Sequence, residues 1–173
     1  MRNVYITLLL LLTACTKVDS GVMEFTIKEG NHYCTHDIYR PCGSHIGFEF
    51  YVDDTWYYEA QQPGINKVIG IADGCDHMKH SVRLGWMCTE GILHSYIYCH
   101  NGGDHVAKKL ADLSTGWHAG NIDIFDGYYM VTVDGVSDTV NRKCNHRERH
   151  LLWPYFGGKD TAPHDININI KLI

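Results

Sequence analysis

The chain has 173 residues, with 15 Lys and Arg against 20 Asp and Glu and a formal net charge of −5. No basic run is longer than Lys108-Lys109, which excludes the electrostatic footprint of a nucleic-acid partner. Beyond its N-terminal segment the chain has the size of one domain able to bury a core.

The first feature along the chain is a leader. Arg2 gives a cationic start, residues 4–12 are apolar, and Leu12-Thr13-Ala14-Cys15 has the form of a lipobox. Thr13 and Ala14 suit a peptidase pocket for small residues, and Cys15 offers the thiol that receives lipid. The apolar run is too short to span a bilayer. Residues 1–15 are therefore expected to be a lipoprotein signal peptide, 16–24 a tether and 25–173 the folded domain. The lipid on Cys15 would hold the protein to a membrane of the bacterial cell envelope, at the outer membrane. Cys34, Cys42, Cys75, Cys88, Cys99 and Cys144 would then lie where disulfides form, with several connectivities open. Cys34 with Cys42 closes a short loop and is the favoured pair.

Strand signals dominate the domain. Residues 25–27, 46–52, 67–71, 82–88, 92–99, 122–125, 128–133, 151–156 and 166–172 are short, rich in aromatic and β-branched side chains, and mostly alternate. Asp-Gly, Glu-Gly, Asn-Gly-Gly and Gly-Gly between them supply the positive φ angles of tight turns. No stretch predicts a long helix. Residues 106–113 stay ambiguous, because Val106, Leu110 and Leu113 fall at helical spacing amid strand neighbours.

Two hairpins can be registered from the sequence. With Asp126-Gly127 as a two-residue turn, Ile124 faces Tyr129 and Ile122 faces Val131, which gathers four apolar side chains on one face. A further turn at Asp134-Gly135 continues the meander through 136–140. With Glu90-Gly91 as the other turn, Cys88 faces Leu93, Trp86 faces Ser95, Leu84 faces Ile97 and Val82 faces Cys99. Cys88 and Cys99 are then about six rungs apart, too far to bond to each other. The opposite face carries His94, Tyr96, Tyr98 and His100 beside Ser81, Arg83, Gly85 and Met87. Arg83 lies across from Tyr98, and Tyr96 across from Gly85.

Many antiparallel strands with one apolar and one polar-aromatic face predict an all-β fold, a two-sheet antiparallel β-sandwich. The tract from Gly120 to Val140, with Asp126-Gly127, Tyr128-Tyr129 and Val133-Asp134-Gly135, resembles the hairpin signature of concanavalin A-like jelly-roll domains. The ending Trp153-Pro154-Tyr155-Phe156-Gly157-Gly158 and Ala162-Pro163-His164-Asp165-Ile166 is similar to that of a family of small bacterial lipoproteins and brings no catalytic residue with it.

The strongest candidate site is the face of Arg83, His94, Tyr96, Tyr98 and His100. Flat rings meet the apolar faces of pyranoses, and an Arg fork takes a carboxylate or sulfate in bidentate fashion. The jelly-roll resemblance implies that such a sheet face carries a glycan groove. It also admits a polysaccharide lyase, with Arg83 neutralising a uronic carboxylate, His94 as base and Tyr96 or Tyr98 as acid. The Gln-Ile/Val-His tripeptide and the Tyr-Phe-Lys-rich segment that mark alginate lyases of this fold are absent, so binding ranks above cleavage. The strand Asn121-Ile122-Asp123-Ile124-Phe125-Asp126 looks like the two-carboxylate strand of laminarinase-type glycosidases. Asn121 replaces the first carboxylate, however, and Asp126 belongs to a turn.

The twelve histidines raise a metal reading. Cys75-Asp76-His77-Met78-Lys79-His80, and Asn101 with Asp104, match no closed metal site. No cofactor is expected. His164 and Asp165 are expected to anchor the loop before the last strand.

The expectation is a membrane-anchored lipoprotein whose β-sandwich binds polysaccharide, with a lyase or hydrolase on the same face as the alternative and a structural envelope protein as the third. An enzyme predicts clustered groups with shifted pKa values in a closed groove, a binder an open aromatic platform, and a scaffold a large apolar patch.

Overall fold

The computed structural model describes residues 21–35, 39–59, 64–74 and 76–173. The leader, with Cys15, and Cys75 lie outside the described residues. Eleven strands form two antiparallel sheets. One is six-stranded, built from β1 (Val22–Ile27), β11 (Ile166–Leu172), β2 (His45–Val52), β7 (Gly116–Ile124), β8 (Tyr128–Val133) and β9 (Val136–Asn141) in that spatial order. The other runs β10 (Arg149–Leu152), β3 (Asn66–Asp73), β4 (His80–Thr89), β5 (Ile92–Asn101) and β6 (Asp104–Leu113). The only helix among the described residues is a single 3-10 turn, Asp54–Trp56.

The turns set the registers. Glu90 and Gly91 both adopt positive φ, 52° and 75°, the geometry that matches the twist of the flanking strands. Every pair of the β4–β5 ladder falls where alternation places it, with Val82 opposite Cys99, Arg83 opposite Tyr98 and Gly85 opposite Tyr96. Asp134-Gly135 repeats the device between β8 and β9 at φ 48° and 83°, with Val133 opposite Val136, and across Asp126-Gly127 Ile122 pairs with Val131 and Ile124 with Tyr129.

The inward faces of both sheets close over one core, in which Trp56 lies 4.8 Å from Trp86 and 6.0 Å from Phe50. Burial of such rings dominates the stability of a sandwich. One end of the sandwich is held by Asp73, which is 0% exposed. It accepts from Arg142 Nε at 2.6 Å, Arg149 Nε at 2.9 Å and the Tyr129 hydroxyl at 3.0 Å.

One ambiguity is resolved and three expectations need correction. The segment 106–113 is strand: β6 is an edge strand exposed on both faces over most of its length, so no alternation marked it. The strand expected over 151–156 ends at Leu152, because Pro154 has no N–H for a ladder. β7 begins at Gly116, six residues before the expected start. Cys42 is a thiol, so the Cys34–Cys42 bridge does not form.

His164 and Asp165 anchor their loop. His164 Nε2 lies 2.9 Å from the Thr55 carbonyl, and Asp165 accepts from Lys28 Nζ at 2.6 Å and from the Glu29 N–H at 3.0 Å. Asn101 donates to the Asn141 carbonyl at 2.8 Å and accepts from the Lys143 N–H at 2.8 Å, a structural use of the residue considered for calcium.

A cationic cleft on the outer sheet face

A cleft of about 490 Å³ lies over the outer face of the five-stranded sheet. Its floor is Arg83 from β4 with Tyr98 and His100 from β5. Lys67 from β3 stands beside them, and Tyr33, Tyr155, His77 and Met78 line the sides. No Asp or Glu lines it among the described residues.

Two glycines shape this floor. A Cβ on Gly70 would meet Arg83 Cγ at 2.5 Å, so the Arg83 side chain lies over Gly70, its neighbour on β3. A Cβ on Gly157 would meet the Ile65 carbonyl oxygen at 2.0 Å and Lys67 Nζ at 2.7 Å. Gly157 thereby lets residues 153–158 pass over β3. The Gly157 N–H donates to Asn66 Oδ1 at 2.8 Å, and Tyr155 and Lys67 exchange backbone hydrogen bonds at 2.8 and 3.0 Å. Tyr155 reaches the cleft because Pro154 breaks the ladder and this second pairing resumes it.

The two cations are buried without a carboxylate partner among the described residues. Arg83 and Lys67 are each 8% exposed, and Arg83 Nε has no hydrogen-bond partner there. Lys67 Nζ sits 4.1 Å from the centre of the Tyr98 ring and 5.6 Å from that of Tyr155. Burial, reinforced by the charge of Arg83, brings the Lys67 pKa down to about 8. Burial brings Arg83 to about 10, opposed by the Tyr98 and Tyr155 phenols, and both side chains are mainly cationic at neutral pH. Burial also lowers His100 to about 4, with Arg83 and Lys67 adding to the shift. Its ring is therefore neutral at physiological pH, and its Nδ1 has no protein partner among the described residues. Burial raises Tyr98 and Tyr155, which keeps both phenols protonated. The ring centres of Tyr98 and His100 lie 5.4 Å apart, edge to face.

Of the five residues expected at the site, Arg83, Tyr98 and His100 line this cleft, whereas His94 and Tyr96 do not. Both share the outer face of β5, but an Ile65 methyl lies over Gly85, 2.4 Å from where a Cβ would stand. The space above Gly85 is thus filled. His94 lies farther along, about 20 Å from His100 at the rise of a strand, with its Nδ1 2.6 Å from Asp112. Lys67, Tyr155 and Tyr33 are additions from the structure. A lone Lys in the otherwise apolar run 67–71 was the available signal for Lys67.

No family model matches the chain, and no curated protein matches its sequence. Its fold is shared with solved structures. The alginate lyase AlyC3 in complex with dimannuronate aligns with a TM-score of 0.62 at 12% identity, over 88% of this chain and 73% of that one. A glycoside hydrolase family 16 endo-glucanase from Bacteroides ovatus gives 0.54 at 12% identity, over 88% and 80%. A functionally unknown protein from Saccharomyces cerevisiae gives 0.59 at 12% identity, over 90% and 89%. At this identity the likeness is one of fold, and the chain is a concanavalin A-like jelly-roll sandwich.

Proposed function

We propose that the protein binds a uronate-bearing polysaccharide in this cleft and cleaves it by β-elimination, acting in the bacterial cell envelope from a lipid anchor on Cys15. The observation that carries this reading is a buried pair of cations, Arg83 and Lys67, with no lining carboxylate among the described residues. A buried charge needs a partner, and a sugar carboxylate supplies it. A glycosidase needs two carboxylates, which the described lining lacks. An open aromatic platform would suit capture alone, but these groups are clustered, shifted in pKa and recessed, as catalysis requires. The solved structures of similar fold include lyases named for alginate.

In this mechanism Arg83 and Lys67 hold the carboxylate at C5 and stabilise the charge that develops as the C5 proton leaves. Neutral His100 takes that proton, a role for which His94 is too distant. Tyr98 protonates the departing O4. The C5–H and C4–O4 bonds break, a C4=C5 double bond forms, and no water is consumed.

The test is ultraviolet detection of the unsaturated product on sodium alginate, polyglucuronate and a neutral glucan, with Tyr98→Phe beside the wild type. Product from a uronate polymer alone, reduced roughly 10²-fold or more in the variant while polymer binding persists, is the expected result. Binding without unsaturated product leaves a capture protein, and no binding to either uronate polymer refutes the proposal.

A further inference from the structure

We infer that this cleft acts at chain ends, releasing short fragments of constant size rather than cutting at internal linkages; the inference rests on the lyase reading above. Along the strand direction the cleft is bounded on one side by His77 and Met78, which precede β4, and on the other by Gly158 and the Ile65 side chain over Gly85. A sugar chain therefore lies across the strands, along the rung Leu152, Gly70, Arg83, Tyr98, Ala107. Among the described residues the β6 end of this rung is open, since β6 is the sheet edge and Ala107, His105 and Lys109 are exposed there.

The opposite end is walled. Leu152, Trp153 and Pro154 are buried along it. Tyr155 stands beyond Lys67, its ring stacked on His32 at 5.5 Å and met edge-on by Tyr33 at 5.2 Å. Tyr33, 74% exposed, rises above the surface as the top of this wall. It is held from below, because the Tyr33 backbone bridges to Tyr155 and the Phe156 N–H donates to the His32 carbonyl at 2.8 Å.

The cation pair that would grip the reacting uronate lies against this wall. Arg83 is two strands from β10, about 10 Å at the sheet spacing, and its side chain leans over Gly70 toward it. Only a short stretch of polymer fits between the reacting sugar and the closed end. A terminal linkage enters from the β6 side, while an internal one would have to pass through Tyr155 and Tyr33.

The experiment tracks unsaturated product and polymer length together on sodium alginate, by ultraviolet absorbance and size-exclusion chromatography, for the full chain and for Tyr33→Ala. The expected result is one short product size from the first time point, with the bulk polymer keeping its length while absorbance grows. In Tyr33→Ala, where an exposed ring is lost and the fold is left intact, the share of longer fragments should rise several-fold. A wild-type ladder of intermediate sizes overturns the inference and leaves the elimination chemistry standing. Wild-type product sizes in Tyr33→Ala overturn the wall assigned to that ring. Absence of unsaturated product from any uronate polymer overturns both the inference and the reading it rests on.

Discussion

Replacing Lys67 with Met keeps much of the side chain's length and removes a buried charge that has no anionic partner among the described residues. The folded state lowers the Lys67 pKa from 10.5 to about 8. At roughly 1.4 kcal/mol per tenfold change in proton affinity, the charged form is disfavoured by about 3 kcal/mol. Loss of the cation–π contact with Tyr98, 4.1 Å away, returns about 0.5–2 kcal/mol of that. The Met variant should therefore be more stable than the wild type by roughly 1–2.5 kcal/mol at pH 7, a rise of about 2–10 °C in Tm for a chain of this size. The sign can be tested by titration. A folded-state pKa below the unfolded one means that the unfolded chain binds the proton more tightly, so wild-type stability increases as pH rises through the window from about 8 to 10.5. The gap between the two proteins should close across that window. Uronate binding should fall in the same variant, because half of the cation pair is gone. Thermal unfolding at both ends of the window, with calorimetric titration of mannuronate oligomers, measures both effects. A Met variant less stable than the wild type at pH 7, or a gap independent of pH, refutes the account of Lys67 as a charge held for a ligand.

The pH profile of kcat/KM on alginate should be bell-shaped, rising as His100 loses its proton near about 4 and falling as Lys67 loses its own near about 8; Lys67→Arg should carry the alkaline limb upward. Asp73→Asn should cost roughly 3–5 kcal/mol by stranding Arg142 and Arg149, measured by urea unfolding. Burial raises the Asp73 pKa, but hydrogen bonds from Arg142 and Tyr129 and the charges of both arginines outweigh it and leave the pKa lowered. The stability from this carboxylate is thus present above its unfolded pKa and lost as pH falls through the folded one, so the difference from Asp73→Asn should shrink in acid. Cys15→Ser should abolish fatty-acid labelling and move the protein from the membrane to the soluble fraction.

The β4–β5 ladder was legible residue by residue because two local signals agree there, a turn pair that adopts positive φ and strict alternation on both sides. That ladder also brings Arg83, Tyr98 and His100 together, and so half of the cleft. The other half comes from β3 and from residues 153–158, which meet across a long sequence separation through Gly157 and the Lys67–Tyr155 pairing. No periodicity encodes which loop covers which part of a sheet face. For the same reason Tyr96 and His94, correct in face, could not be separated from the cleft until Ile65 was placed over Gly85. β6 was ambiguous because an edge strand with two exposed faces needs no apolar alternation, and Val106, Leu110 and Leu113 then matched a helix by chance.

The two ends of β3 place cations in opposite circumstances, and the contrast separates structure from function. At one end Asp73 receives both Arg142 and Arg149 in hydrogen-bonded ion pairs, so each cation there has a carboxylate oxygen from within the chain. At the other, Lys67 and Arg83 are as deeply buried, yet they face two phenols and a neutral imidazole. A fold selected only for stability would place an apolar pair there, since replacing buried charges with apolar side chains is often neutral or favourable. Burial lowers the proton affinities of Lys67 and His100, and Arg83 adds to the first shift while both cations add to the second. Under the lyase proposal an incoming carboxylate would relieve that repulsion, with its own charge neutralised next to the carbon whose proton must leave. On the proposed function, the same electrostatic strain that weakens the folded state would become, on binding, the source of both uronate selectivity and C5 acidity.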